Sequence, residues 1–284
     1  MIDEHREVLS IKDLCEAAGV SRSAYHEWFY KSPVIDGSAA ELETEIEYIV
    51  LEFLGYGYRR VTHELKRRGR TINHKKVLAI MKTRGWTKKR KRRFVKTTDS
   101  NHKLPVYPNL TRKFIPSGIN QLWVSDLTYI RIKYGFVYLA TIMDAYSRRV
   151  IGWSLGRGLD SELSLSALRM ALVKRDIGPG LIHHSDRGVQ YACHAYIDML
   201  KAHCIQISMS RAGNPYDNAK AESFFATLKK EEVYLSDYQT YAEACADIGK
   251  FIEDVYNQKR LHSALGYQPP AEFESNLTLA KCLK

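Results

Sequence analysis

The 284-residue chain contains no apolar run approaching the roughly 20 residues of a bilayer-spanning helix. Its first residues, MIDEHREVLSIKDL, offer neither an apolar segment nor a small-residue cleavage site, so no secretion signal is expected. Cysteine is sparse and scattered. The five residues (Cys15, Cys193, Cys204, Cys245 and Cys282) are odd in number and form no CxxC pair, which argues against a disulfide framework and a zinc knuckle. A reduced, cytoplasmic protein with no membrane partner is expected. Internal repeats and low-complexity stretches are absent as well.

Acid is missing where base is dense. Between Arg84 and Lys96 lie eight basic residues and no acidic one. The formal charge of +11 is unevenly spread. Residues 1–115 hold 24 Lys and Arg against 14 Asp and Glu, whereas residues 116–284 hold 19 against 18. A basic front half on a near-neutral back half suits a polyanion, and nucleic acid is the leading candidate. A basic protein that merely tolerates its charge is the rival reading.

Local patterns divide the chain. SIKDLCEAAGVSRSAYHEWFY (residues 10–30) reads as helix, tight turn at Gly19, and a second helix capped by Ser21. This predicts a helix-turn-helix over 1–31, with Ser21 and Arg22 facing DNA. A Pro, Gly and Ser-rich linker follows, then a second such unit over 38–96. Val61 and Leu65 mark one amphipathic helix, and Val77, Leu78 and Met81 mark another. Arg59, Arg60, Lys75 and Lys76 are its candidate DNA contacts. Lys88, Lys89, Arg90, Lys91, Arg92 and Arg93 form a basic arm suited to phosphates. Residues 97–117 read as an extended linker, 118–275 as an α/β domain, and 276–284 as a tail.

Within 118–275, LWVSDLTYIRI, FVYLATIMD and RRVIGWSL read as three consecutive antiparallel strands. Helices and short strands alternate after them. Asp126 falls mid-strand among core-like residues, and Asp186 lies just past LIHHS. The stretch NPYDNAKAESFFATLKKE predicts a helix capped by Asn214, with Pro215 in its first position and Asp217 in a capping box. Glu222 and Lys229 share a face of that helix, seven residues apart. A solvated surface helix would also supply such a pair. A carboxylate in a core strand needs a partner, because an unpaired buried charge is costly. Arg131, Arg187 or Arg211 would be an ordinary partner; convergence of all three acids on divalent metal is the sharper alternative. His183 and His184 read as structural residues before metal ligands, and Asp144 as a turn former before a fourth acid. Asn218 and His184 are candidate site-lining residues.

Asp126, Asp186 and Glu222, with 35 residues between the last two, resemble the acidic triad of DDE transposases and retroviral integrases. WVSDLTYI, MDAYSRRVIGW, HSDRGVQY, NPYDNAKAESFFATLKKE and YNQKRLHSALGYQPPAEF together resemble the insertion sequence 3 family, in particular its second-reading-frame product. The resemblance covers nearly the whole chain. It implies a ribonuclease H-like, retroviral integrase-type core preceded by all-α helix-turn-helix units. It further implies two Mg²⁺ ions, with Mn²⁺ as a substitute, held by Asp126, Asp186 and Glu222, and Lys229 on DNA. The implied reaction is cleavage at transposon ends followed by strand transfer. The implied partners are double-stranded DNA (terminal inverted repeats and target), further copies of the chain, and the upstream-frame protein as a fusion, in a bacterial nucleoid setting. The chain itself shows no sustained heptad seam. Two other readings stay open: a DNA-binding or incomplete half of a fused transposase, inactive alone, and a ribonuclease H-like nuclease acting on hybrids or junctions.

Overall fold

A computed structural model describes residues 10–31, 37–87, 105–112, 114–210 and 218–282. The chain divides into two compact units, residues 1–49 and 50–284.

In the first unit, α1 (Ile11–Ala17) and α2 (Arg22–Lys31) form the expected helical hairpin. Ser10 caps α1 by accepting from the Asp13 N–H, and Ser21 caps α2 by accepting from the Ala24 N–H at 3.0 Å. Gly19 makes the turn at φ +66°, a left-handed conformation that costs glycine little. Leu14, Cys15 and Tyr25 are buried. The helix α3 (Gly37–Glu52) begins in this unit and ends in the next, with Leu42, Ile46 and Ile49 buried along one stripe.

The second unit opens with α4 (Tyr58–Arg67) and α5 (His74–Thr83), packed together through Val61, Leu65, Val77 and Met81. Asn73 caps α5. This helix pair is fastened to the α/β domain. The Tyr56 hydroxyl accepts from the Leu261 N–H at 2.7 Å, Arg60 Nε donates to the Leu261 carbonyl at 3.1 Å, and His63 stacks on Tyr267.

Five strands make one sheet: β1 (Leu122–Ile132), β2 (Gly135–Asp144), β3 (Val150–Gly156), β4 (Ile182–Ser185) and β5 (Gln206–Met209). Their order is β3-β2-β1-β4-β5, with the first three antiparallel and β4 and β5 added in parallel. Alternating side chains feed two cores. Leu122, Val124 and Val150 pack with α9 (Ala219–Leu228) and α10 (Tyr241–Lys250). Trp123, Ile142 and Ile151 face α6 (Ser161–Lys174), and α7 (Val189–Ala192) and α8 (His194–Ala202) complete that layer. Gly152 permits the close approach of α6, since a Cβ there would lie 2.1 Å from the Ala167 carbonyl oxygen.

Two expected boundaries shift. Part of the expected linker is docked: Leu110 N–H donates to Ser208 Oγ at 2.9 Å, and Tyr107 and Phe114 pack against the cores. Its aromatic residues bury apolar area that a solvated linker would leave in water. The expected tail begins inside α11 (Pro270–Cys282), which is tied down by Glu274. That carboxylate, 6% exposed, accepts from Ser147, Arg149 and Arg175. The four cysteines whose side chains are described, Cys15, Cys193, Cys204 and Cys245, are free thiols. Among the described residues no helix is long and apolar enough to cross a membrane.

Candidate active site

Asp126 belongs to the central strand, on the face that turns toward α9. The β1–β4 register pairs Leu122 with Ile182, Trp123 with His183 and Val124 with His184. The same register carries Asp126 toward the end of β4, just past which Asp186 stands. Asp186 is fixed by its own turn, where Oδ1 accepts from the Gly188 N–H at 2.9 Å. Glu222 stands in the first turn of α9.

Electrostatics link these acids. Burial pushes the Asp126 carboxyl well above the ordinary carboxylate range, and the charges of Asp186 and Glu222 push it the same way. The Leu127 N–H and Lys229 oppose the shift. Burial also raises Glu222. Asp126 forms no ion pair among the described residues, and Arg187, one of its ordinary candidates, donates Nε to the Ser210 carbonyl. Three carboxylates around one strand end offer the oxygen donors that a hard divalent ion prefers. No group of three or more His, Cys, Asp or Glu among the described residues is drawn close enough to hold one.

The start of α9 differs from its sequence pattern. The helix runs from Ala219 with Asn218 as its N-cap, and Asn214, Pro215 and Asp217 lie outside the described residues. Asn218 is buried and spans from α9 to β1, donating Nδ2 to the Ser125 carbonyl at 3.1 Å. Lys229 opens a π-helical stretch, Lys229–Val233, with Nζ 4.8 Å from the centre of the Tyr129 ring. Burial lowers its pKa while Asp126 raises it. Tyr129 is thus a half-buried platform for the Lys229 ammonium.

His184 does not line an open site. It is fully buried, with Nδ1 2.8 Å from Ser208 Oγ. His183 is buried too, with Nε2 within hydrogen-bond distance of Ser125 Oγ and Tyr196 Oη. Burial and His184 push its pKa down to about 3, so it is a neutral structural group. Asp144 forms its turn, accepting from Asn120, Tyr146 and Ser147 N–H groups. Tyr191, missed by sequence reasoning, lies buried where both Asp126 and Asp186 raise its pKa, after the larger effects of burial and Tyr196. Its only sequence signal is its place in HSDRGVQY.

Among the proposed DNA contacts, Ser21, Arg22, Arg59, Lys75 and Lys76 are exposed. Arg60 is not presented for contact on the helix surface, because it is half-buried and bonded to Leu261. Lys88, Lys89, Arg90, Lys91, Arg92 and Arg93 lie outside the described residues.

Comparison with known proteins agrees with this architecture. Residues 116–215 and 203–270 match families described as Integrase core domain, and residues 39–94 match an HTH-like domain. The transposase InsF of insertion sequence IS3A from Escherichia coli K12 is 36% identical over 280 residues, covering 96% of this chain and 97% of that protein. The chain belongs to the insertion sequence 3 (IS3) family of transposases. An uncharacterized 31 kDa protein of insertion element IS600 from Shigella sonnei is 40% identical over 264 residues, covering 92% of this chain and 97% of that one. Among solved structures, the catalytic core domain of BIV integrase superposes with a TM-score of 0.44 at 18% identity, covering 57% of this chain and 98% of that one. This IS3-family chain thus combines an HTH-like segment with an integrase core domain.

Proposed function

We propose that this transposase cleaves DNA at transposon ends and joins the freed 3′-hydroxyl to a second phosphodiester by in-line displacement. Asp126, Asp186 and Glu222 are the residues that would hold two Mg²⁺ ions, with Mn²⁺ as a substitute. Asp126 would serve both ions, and Asp186 and Glu222 one each. Bound there, such ions would activate the attacking oxygen and stabilise the departing one. The observation that carries this reading is the Asp126 carboxyl, raised by burial and by both other acids, with Lys229 opposing.

The chain's own residues do the positioning. Asn218 holds the Glu222 helix against the strand of Asp126. Lys229, held over Tyr129 beside the acids, supplies a cation for the DNA backbone near the reacting end. Ser21 and Arg22 on the first helical hairpin, Arg59, Lys75 and Lys76 on the second, and the basic arm Lys88–Arg93 bind the duplex outside the reaction centre. Two ends must be held together, which calls for more than one copy of the chain.

A second reading takes the chain as a DNA-binding half that needs the upstream-frame protein to act. It is favoured by the basic front half, whose exposed Ser21, Arg22, Arg59, Lys75 and Lys76 need none of the three acids to hold DNA. A strand-transfer assay with purified protein, labelled transposon-end DNA and Mg²⁺, run beside Glu222→Gln, separates the two. Joined products that vanish in the variant support the first reading. DNA binding without products in either protein supports the second.

A further inference from the structure

A cavity of about 150 Å³ lies on the side of α9 away from Glu222. Lys220, Ser223 and Thr227 line it from α9 and follow one helical face, whereas Glu222 stands about 200° around the helix from Lys220. The other walls come from α4, the β2–β3 turn and the segment after α10. The buried Tyr256 and Arg260 form its floor.

Its chemistry is one-sided. Arg60, Arg148, Lys220 and Arg260 converge there. Only Arg260 has an ion-pair partner among the described residues, giving Nε and Nη2 to the Glu231 carboxylate at 2.6 and 2.8 Å. Asp144 is the other acid felt in the cavity, acting on Lys220, but its oxygens already accept three backbone N–H groups. Burial and the neighbouring Arg260 depress Arg60. Four cations set against two acids that are already engaged are costly to the fold. Arg148 also keeps a left-handed backbone, φ +62°, a strain that non-glycine residues carry where surroundings hold them there.

His262 adds an independent sign. Its Nε2 is buried without a hydrogen-bond partner among the described residues, while the ring packs edge-on to Tyr256. Burial and the charges of Arg260, Arg60 and Arg148 push its pKa down to about 2, so the ring is neutral and has one N–H to give. An oxyanion in the cavity would face three cations, Arg60, Arg148 and Lys220, that lack an ion pair among the described residues. The volume admits several waters or one tetrahedral anion with its ligands. The serine hydroxyls of Ser223 and Ser263 stand at the exposed mouth.

We propose that this cavity is a phosphate-binding site, separate from the three carboxylates, and that it takes a phosphodiester of bound DNA. The DNA source rests on the proposed joining function, whereas the phosphate chemistry rests on the cavity alone. A duplex gripped here would brace the helix carrying Glu222 from behind while its reacting end lies in front.

The test uses the full chain beside Lys220→Gln and Arg148→Gln, each first checked for native circular dichroism and melting. Sodium phosphate replaces sodium chloride at constant ionic strength, and the melting temperature is read. The expected wild-type rise is about 2–4 °C, absent in both variants. Duplex binding by fluorescence anisotropy is then followed against salt, where each variant is expected to lower the slope by about one. Either response lost in both variants supports the site, and a lowered salt slope assigns its occupant to DNA. A phosphate-dependent rise with unchanged DNA binding supports a free-phosphate site and overturns the DNA source. No phosphate-dependent rise together with unchanged DNA binding overturns the proposal. Both readouts are binding measurements, so neither depends on whether Glu222→Gln abolishes joining.

Discussion

Asn218 Nδ2 lies 3.1 Å from the Ser125 carbonyl oxygen, which couples the start of the Glu222 helix to the residue before Asp126. The same side chain leaves Oδ1 buried without a partner among the described residues. A residue kept for stability alone would not carry that cost, since an unsatisfied buried acceptor loses about 1–3 kcal/mol.

Asn218→Ala is therefore expected to change stability by less than about 1 kcal/mol, gain and loss offsetting each other. Strand transfer is expected to fall on the order of 10²-fold through displacement of Glu222. Urea unfolding and the joining assay measure the two effects. A large loss of stability with joining intact would refute the positioning role.

Glu274 governs how α11 holds to the α/β domain. Burial raises its carboxyl, but hydrogen bonds and charge from Arg175, with hydrogen bonds from Ser147 and Arg149, outweigh burial and hold it below the ordinary range. Its stabilisation is present in full above the unfolded carboxylate pKa of about 4.3 and is lost as pH falls through the lower folded value. Glu274→Gln is expected to cost about 3 kcal/mol at pH 7, because it leaves Arg175, only 9% exposed, without a counter-charge. Denaturant titrations at pH 7 and pH 3 should show the gap narrowing in acid.

Gly152→Ala tests the contact between sheet and α6. A Cβ 2.1 Å from the Ala167 carbonyl oxygen cannot be accommodated without moving the helix. The expected destabilisation is about 3 kcal/mol, the upper range for overpacking. A midpoint in urea equal to that of the unchanged protein would contradict the close approach.

Neutralising Lys88, Lys89, Arg90, Lys91, Arg92 and Arg93 to Gln is expected to weaken binding to all duplexes alike. The slope of log affinity against log salt should fall by about one per lost phosphate contact. Loss confined to one DNA sequence would show that the arm reads bases.

Much of the fold was legible in the chain. The apolar richness of LWVSDLTYIRI and FVYLATIMD marked the central strands, because each buries side chains on both faces under helices. Helix periodicity marked α4 and α5 through Val61, Leu65, Val77 and Met81. The docking of Tyr107, Leu110 and Phe114 was not legible, since proline punctuation outweighed their apolar side chains in a local reading. The fate of Arg60 was hidden for the same reason: its partner, the Leu261 carbonyl, stands 201 residues away.

By itself, the sequence determined the elements and the kind of chemistry, because residue type and local periodicity carry both. It placed Asp126 on a strand, Asp186 at a strand end and Glu222 on a helix. Only the tertiary structure decided which charges meet. It turned Asp126 toward Asp186, Glu222 and Lys229, buried His184 against Ser208, and gathered Arg60, Arg148, Lys220 and Arg260 behind α9. Charges interact over a few ångströms of space, and the contacts that bring them together join residues far apart along the chain.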